Sequence, residues 1–193
     1  MSHSLLFALF SLVMSASCAA AKPPQKKPAS EAQQPSLPII ERAETPDPFI
    51  RFDGFGVMIR RPGPEWGAMP LIKPGSGEII SSGFVNLSSG ARISVTPFRP
   101  PFQRHRPVSE QWLFLYDRGA DVGPVETDSA AHCASFVYAT NVADQKRFGK
   151  AAERSEVGPG RIAVLVDGNW PASAAKESEK IFNDLVNGIQ PIR

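Results

Sequence analysis

The sequence is poor in the residues that build catalytic and metal centres. Its 193 residues include only two cysteines, Cys18 and Cys133, and three histidines. Two cysteines exclude a scaffold held by several disulfides. Without the N-terminal His3, two histidines and one or two cysteines are too few to favour a tetrahedral zinc site. No Asp-rich loop has EF-hand spacing, and the glycine-containing turns lack the phosphate-binding and dinucleotide-binding patterns. We therefore expect no metal ion and no cofactor.

The chain also lacks a strong excess of charge of either sign. Lys and Arg total 21 and Asp and Glu total 19, which gives a formal net charge of +2. This balance is too weak to indicate a nucleic-acid partner. The apolar content of 42% and the 12 phenylalanines suffice for one ordinary globular core.

No hydrophobic run is long enough to cross a bilayer as a helix. The most apolar N-terminal stretch, LLFALFSLV from Leu5 to Val13, has the length of a signal-peptide core. The preceding MSHS has no Lys or Arg, so one usual element of a signal peptide is missing. The pattern still predicts export.

Two cleavage sites compete directly after this stretch. Ser15 to Cys18 resembles the bacterial lipobox, in which small residues lead to an acylated cysteine, although Ser15 stands where Leu is usual. Ala19 to Ala21 instead offers an A-x-A site, where cleavage would discard Cys18. We expect lipidation at Cys18, with cleavage after Ala21 as the alternative. A disulfide between Cys18 and Cys133 would require that Cys18 is neither acylated nor removed by cleavage.

Proline is concentrated between the export signal and the rest of the chain. Residues 22–48 contain seven prolines, no aromatic residue and four charges of each sign. Such a segment buries too little apolar surface to offset its ordering entropy. The sequence thus predicts a signal peptide in residues 1–21, a disordered linker in 22–48 and one folded domain in 49–193.

The pattern of residues 49–193 predicts an α+β fold on a largely antiparallel sheet. Apolar and polar residues alternate on both sides of a Ser-Ser-Gly turn, which predicts a hairpin in residues 83–98. Pro97 is expected to end the second strand or restrict it to an edge. The apolar run of residues 160–168, bounded by glycines, predicts a central strand. Other strands are expected in residues 49–61, 122–127 and 132–142, and residues 62–77 have the composition of a loop.

Two segments show helical spacing of apolar residues. A mid-chain helix is expected to begin after Pro107 and to close at Arg118 and Gly119. A C-terminal helix is expected to take Ser173 as its N-cap and to end at Gly188. Helices packed on a sheet in this order predict an α/β/α sandwich.

Two segments carry a resemblance to a known group of proteins. VMIRRPGPEW, in which a strand runs into Pro62, Pro64 and Trp66, and RIAVLVDG with the closing helix through Ile189, resemble the α/β/α sandwich of the photosystem protein PsbP and the Mog-type Ran-binding proteins. Bacterial exported proteins and lipoproteins of unknown role often resemble this group. Members of the fold do unrelated things, so the resemblance implies a fold and no functional residue.

His132 and Cys133 place a base beside a nucleophile. Neighbours on a strand point to opposite faces, so we expect a small buried cysteine and a histidine at the wet end of a core strand, without a catalytic role. A small envelope hydrolase that uses His132 or His105 with a serine or with Cys133 remains the alternative. No G-x-S-x-G motif supports it.

The strongest candidate for binding is RPPFQRHRP, residues 99–107, which we call the arginine loop. It holds Arg99, Arg104, His105 and Arg106 and no acidic residue, and its prolines favour an extended chain. Guanidinium groups presented in this way suit phosphate, carboxylate or the acidic surface of a partner. Trp66 and Trp170 lie in turn-like contexts and are expected to close the ends of the sheet.

The sequence as a whole predicts a non-enzymatic binding or accessory module of a bacterial envelope. We expect a lipoprotein anchored through Cys18, in the outer membrane or the periplasm, or a secreted protein if cleavage follows Ala21. The partner is expected to be an envelope protein or an anionic ligand. A subunit of a membrane-associated assembly is a further alternative.

Overall fold

The computed structural model describes residues 47–102 and 105–193. Cys18, the predicted signal peptide and all but the last two residues of the predicted linker lie outside the described residues. The eleven strands of the described part are β1 Phe49–Phe52, β2 Val57–Arg60, β3 Trp66–Ile72, β4 Ile79–Asn86, β5 Arg92–Phe98, β6 Asp121–Val122, β7 Glu126–Asp128, β8 Cys133–Val142, β9 Gln145–Val157, β10 Ile162–Pro171 and β11 Gln190–Pro191. The two α-helices of that part are α1 Pro107–Asp117 and α2 Ala175–Asn187.

A central eight-stranded sheet carries the fold. Six of its strands follow the order β3-β4-β5-β10-β9-β8, the short β6 and β7 pair with β8, and every pairing is antiparallel. A smaller antiparallel sheet has the order β1-β2-β11. The α+β class expected from the sequence is therefore confirmed.

Each face of the large sheet has its own apolar core. On one face, α2 and the small sheet pack through Phe52, Phe182 and Leu185 against Phe84 and Val164. On the other face, α1 packs through Val108 and Leu115 against Phe136, Ala151 and Leu165. Side chains of β10 alternate between the two cores because successive residues of a strand point to opposite faces. The layers are thus helix, sheet and helix.

Several local predictions hold. The segment 49–61 forms the β1–β2 hairpin, which turns through a 3-10 helix at Asp53–Phe55 and through Gly56 at a positive φ of 70°. The β4–β5 hairpin, the helix after Pro107 and the central strand β10 lie where the sequence predicts them. In β4, Phe84 and Asn86 are buried, and Leu87, directly after the strand, is exposed.

Other local predictions are wrong for physical reasons. Residues 62–77, expected to form a loop, contain β3. Pro70 is tolerated in this strand because β3 lies at the edge of the sheet. Pro97 lies inside β5, a strand paired on both sides, but beyond its last paired position with β4 at Val95. Ser173 is not the N-cap of α2, since a 3-10 turn at Ala172–Ala174 precedes the helix.

Two adjacent charged residues of β9 secure the two helices on opposite faces of the sheet. The buried carboxylate of Glu153 accepts a hydrogen bond of 2.9 Å from the backbone N–H of Val108, in the first turn of α1. The guanidinium of Arg154 donates to the carbonyls of Val186, Asn187 and Ile189, at the C-terminus of α2. Each charge has the sign that the helix dipole favours at that terminus.

Candidate functional site

The arginine loop is fastened at its C-terminal end by a buried acid. Arg106 donates to Oε1 of Glu153 from Nε at 2.9 Å and from Nη2 at 2.5 Å. The side chain of Glu153 is 0% exposed, while that of Arg106 is 45% exposed. Because the same carboxylate caps α1 through Val108, the end of the loop and the start of the helix share one anchor. Arg106 therefore has a structural partner within the chain.

The N-terminal end of the loop rests on the small sheet's turn. The guanidinium of Arg99 lies 5.4 Å from the ring centroid of Phe55, within range of a cation–π contact. Arg99 is exposed, and so is His105. Gln103 and Arg104 lie outside the described residues. The structure thus brings Arg99 and Arg106 to the two ends of one loop, with the exposed His105 next to Arg106.

His132 has an acidic partner on a neighbouring strand. Its Nδ1 lies 3.4 Å from Oε2 of Glu156, and Oε1 of the same carboxylate accepts a hydrogen bond from Arg161. The bond with Arg161 lowers the pKa of Glu156, and the charge of His132 adds to this effect. These three residues also share an unusual backbone, with φ of 49° at His132, 59° at Glu156 and 47° at Arg161. The Glu156 carboxylate and the His132 ring lie at ion-pair distance, and both side chains are partly exposed, at 40% and 56%.

No nucleophile completes a catalytic group at His132 in the part of the chain that the structure describes. The hydroxyl of Ser155 donates to the backbone carbonyl of His132 at 3.1 Å, not to its ring. Burial, reinforced by the charge of Asp128, raises the pKa of the Cys133 thiol. A raised pKa lowers the thiolate fraction at neutral pH and makes Cys133 a poor nucleophile. Cys133 is half-buried and packs against the core of the α2 face.

A pair formed by the buried Tyr138 and the half-buried Asp167 lies across β9 and was not anticipated from the sequence. The hydroxyl of Tyr138 donates to Oδ1 of Asp167 at 2.8 Å and to the carbonyl of Gly168 at 3.1 Å. Burial raises the pKa of Asp167 to about 6, although the hydrogen bond from Tyr138 partly opposes this shift. Burial, followed by the charge of Asp167, also raises the pKa of Tyr138. The ring of Tyr138 passes over Gly149, where an added Cβ would lie 2.2 Å from its Cζ.

A groove of about 460 Å³ lies on the α2 face, beside the start of that helix. Val137, Phe148 and Trp170 supply its apolar surface, and Lys146 and Glu179 lie at its sides. Trp170 is buried against Phe182 in an edge-to-face contact, and Trp66 is likewise buried as the first residue of β3. Both tryptophans are therefore part of the apolar core.

Within residues 47–102 and 105–193, no group of three or more His, Cys, Asp or Glu side chains is arranged to hold a metal ion. In those ranges, no helix has both the length and the apolar character needed to cross a membrane.

The comparisons with known proteins reach the level of fold. No protein-family model matches the chain, and no curated protein matches it in sequence. The solution structure of the cyanobacterial PsbP protein from Synechocystis is similar, with a TM-score of 0.51 and 12% identity over 74% of this chain and 91% of that chain. The Ran-binding protein Mog1p of Saccharomyces cerevisiae has a TM-score of 0.49 and 12% identity over 75% of this chain and 94% of that one. LpqN, involved in cell envelope biogenesis of Mycobacterium tuberculosis, has a TM-score of 0.45 and 9% identity over 69% and 82% of the two chains.

At 12% identity, the similarity to the PsbP structure indicates a shared fold and does not indicate an activity. The layers described above, a large antiparallel sheet between two helices, agree with it. The resemblance expected from VMIRRPGPEW and RIAVLVDG is confirmed in that sense: this chain has the PsbP-type α/β/α fold.

Proposed function

We propose that this protein is an exported, lipid-anchored accessory module of a bacterial envelope, which binds an acidic surface of a partner protein through the arginine loop. The observation that carries the proposal is the fastening of the loop at both ends. Arg106 is joined to the buried Glu153, and Arg99 rests on Phe55. Residues that are already held at the two ends of the loop lose less conformational freedom on binding, which favours affinity.

We assign two roles to the basic residues of the loop. Arg106 is already paired, so its charge is largely compensated within the chain. Arg99 and His105 are exposed, and we assign the partner contact to them together with Arg104. Arginine suits this task because its planar donors match a carboxylate in two parallel hydrogen bonds.

The test is recovery of the partner after cross-linking in cells. A variant with Arg99→Ser, Arg104→Ser and His105→Ser removes three basic side chains of the loop but keeps the Arg106–Glu153 pair. The matched control is Arg60→Ser, which removes an exposed arginine from β2. We expect the triple variant to lose most of the cross-linked partner and the control to retain it. Equal recovery from both variants contradicts the proposal.

Export and anchoring are supported by sequence features outside the described residues. The apolar stretch Leu5 to Val13, the lipobox-like residues before Cys18 and the proline-rich segment 22–48 occur in the order of a tethered lipoprotein. The intact mass of the mature protein tests this directly. A diacylglyceryl adduct on Cys18 supports the anchor, whereas an N-terminus at Lys22 supports simple secretion.

One observation favours the rival function, a small hydrolase. His132 and Glu156, whose side chains lie 3.4 Å apart, line a pocket of about 180 Å³ that Ser155 also lines. A broad hydrolase screen on the wild-type chain and on His132→Ala separates the two functions. Turnover that disappears with His132 supports the enzyme, and its absence in the wild type supports the binding module. Co-purification of a stable complex from membranes would instead indicate a subunit of a larger assembly.

A further inference from the structure

Two arginines lie on the same face of the sheet beside Asn169, at the end of β5 that is remote from the arginine loop. Arg92, the first residue of β5, is paired across the sheet with Asn169 of β10. Arg147 of β9 reaches the same asparagine, with Nε donating to Oδ1 at 2.7 Å and Nη2 donating to the backbone oxygen at 3.2 Å. Its Nη2 also donates to the carbonyl of Gly90 at 2.7 Å, two residues before Arg92. The guanidinium of Arg147 is thus held next to the strand position that carries Arg92.

Neither positive charge at this place has an ion-pair partner within the described part of the chain. The three hydrogen bonds of Arg147 all go to uncharged oxygen atoms, and neither Arg92 nor Arg147 takes part in an ion pair in residues 47–102 and 105–193. The carboxyl of Asp167, two residues before Asn169, is engaged by the hydroxyl of Tyr138. Burial, and then the charge of Arg92, lowers the pKa of Arg147. Both effects disfavour the charged form of the Arg147 side chain.

Such an arrangement has the properties of a preformed anion site. Arg147 is half-buried and is fixed by three hydrogen bonds, so a ligand need not order it. Arg92 is exposed and can contact a ligand from the start of β5. A bound anion would relieve the repulsion between the two guanidinium groups and would accept charge-assisted hydrogen bonds from both.

We propose that Arg92 and Arg147 form a binding site for an oxyanion, a phosphate or carboxylate head group, on the α1 face of the sheet. The site is separate from the arginine loop, because the length of β5 places the two about 20 Å apart. It does not depend on the function proposed for that loop. The protein then has two cationic surfaces, a loop for a partner protein and a site for a small anionic group.

The test is a titration of the full chain with inorganic phosphate and, separately, with succinate, at constant ionic strength maintained with chloride. The reporter is the Nε–H resonance of Arg147 in heteronuclear NMR spectra, because this N–H donates to Asn169. Arg92→Gln removes one charge from an exposed position and leaves the bonds of Arg147 intact. Arg60→Gln, on the small sheet, is the matched control.

We expect a saturable shift of the Arg147 resonance in the wild type and in Arg60→Gln. In Arg92→Gln the midpoint should rise about tenfold or more, as expected for the loss of one charge-assisted contact. Saturation by phosphate alone, by succinate alone or by both supports the site and identifies the head group it accepts. A shift that increases linearly without saturation, or a midpoint unchanged in Arg92→Gln, overturns the proposal.

Discussion

Removing Arg106 should destabilise the protein more than neutralising its buried partner. Glu153 is 0% exposed and receives two hydrogen bonds from Arg106 and one from the N–H of Val108. In Arg106→Ala the carboxylate keeps only the Val108 bond, so a buried charge loses most of its compensation. Breaking a buried pair in this way costs about 3–5 kcal/mol, and we expect about 2–3 kcal/mol because water already reaches Arg106.

The reverse change leaves no buried charge behind. In Glu153→Gln the amide oxygen still accepts from Val108, and the half-exposed Arg106 is solvated. The lost charge-assisted bonds should cost about 1–2 kcal/mol. It follows that adding Glu153→Gln to Arg106→Ala should restore part of the lost stability, because the double variant no longer buries an uncompensated charge.

Urea unfolding followed by tryptophan fluorescence measures these differences, with the three variants compared at equal m-values. Arg99→Ala is the control, since it removes an exposed arginine from the other end of the same loop and should cost less than about 0.5 kcal/mol. If Arg106→Ala costs no more than this control, or if the double variant is less stable than Arg106→Ala alone, the structural role assigned to Arg106 is refuted.

Three further outcomes are expected. The pKa of Asp167 is raised to about 6 from 3.8, so between these two pH values the folded chain retains a proton that the unfolded chain releases. The stability that this proton contributes is fully present below about pH 4 and is lost as the pH rises through 6. Asp167→Asn should therefore be about 2–3 kcal/mol more stable than wild type at pH 8, by urea unfolding, with the difference vanishing near pH 4. Gly149→Ala should lower stability by about 2–4 kcal/mol, because its Cβ would meet the Tyr138 ring, whereas Gly67→Ala, with its nearest contact at 3.7 Å, should change little. Cys133 should react slowly with iodoacetamide at pH 7, and rapid labelling of the folded chain would contradict the raised pKa of its thiol.

The spacing of apolar residues predicted those elements in which the same residues are buried in the fold. The apolar run of β10 and the stripe of α2 were recognisable because each buries the residues that its spacing selects. The longest strand, β9, was missed because QKRFGKAAERSEV alternates poorly and is rich in residues that favour helices. Its strand conformation comes from pairing with β8 on one side and β10 on the other. Tertiary pairing overrode local propensity there.

The candidate site was predictable only in part for a related reason. The charge and prolines of the arginine loop were visible in the sequence, but the role of Arg106 depends on Glu153, which lies 47 residues away. The pairing of Tyr138 with Asp167 likewise spans 29 residues. Such contacts follow from strand register, which a single sequence does not specify.

The most direct test of the proposed binding module is site-specific photo-cross-linking in cells. A photoreactive residue placed at the exposed position of His105 should yield a discrete adduct with one partner, and Arg99→Ser with Arg104→Ser should abolish that adduct. The same residue at Tyr116, exposed on α1, should yield none. Equal adducts at both positions, or an adduct at position 105 that survives the loss of both arginines, would contradict the account.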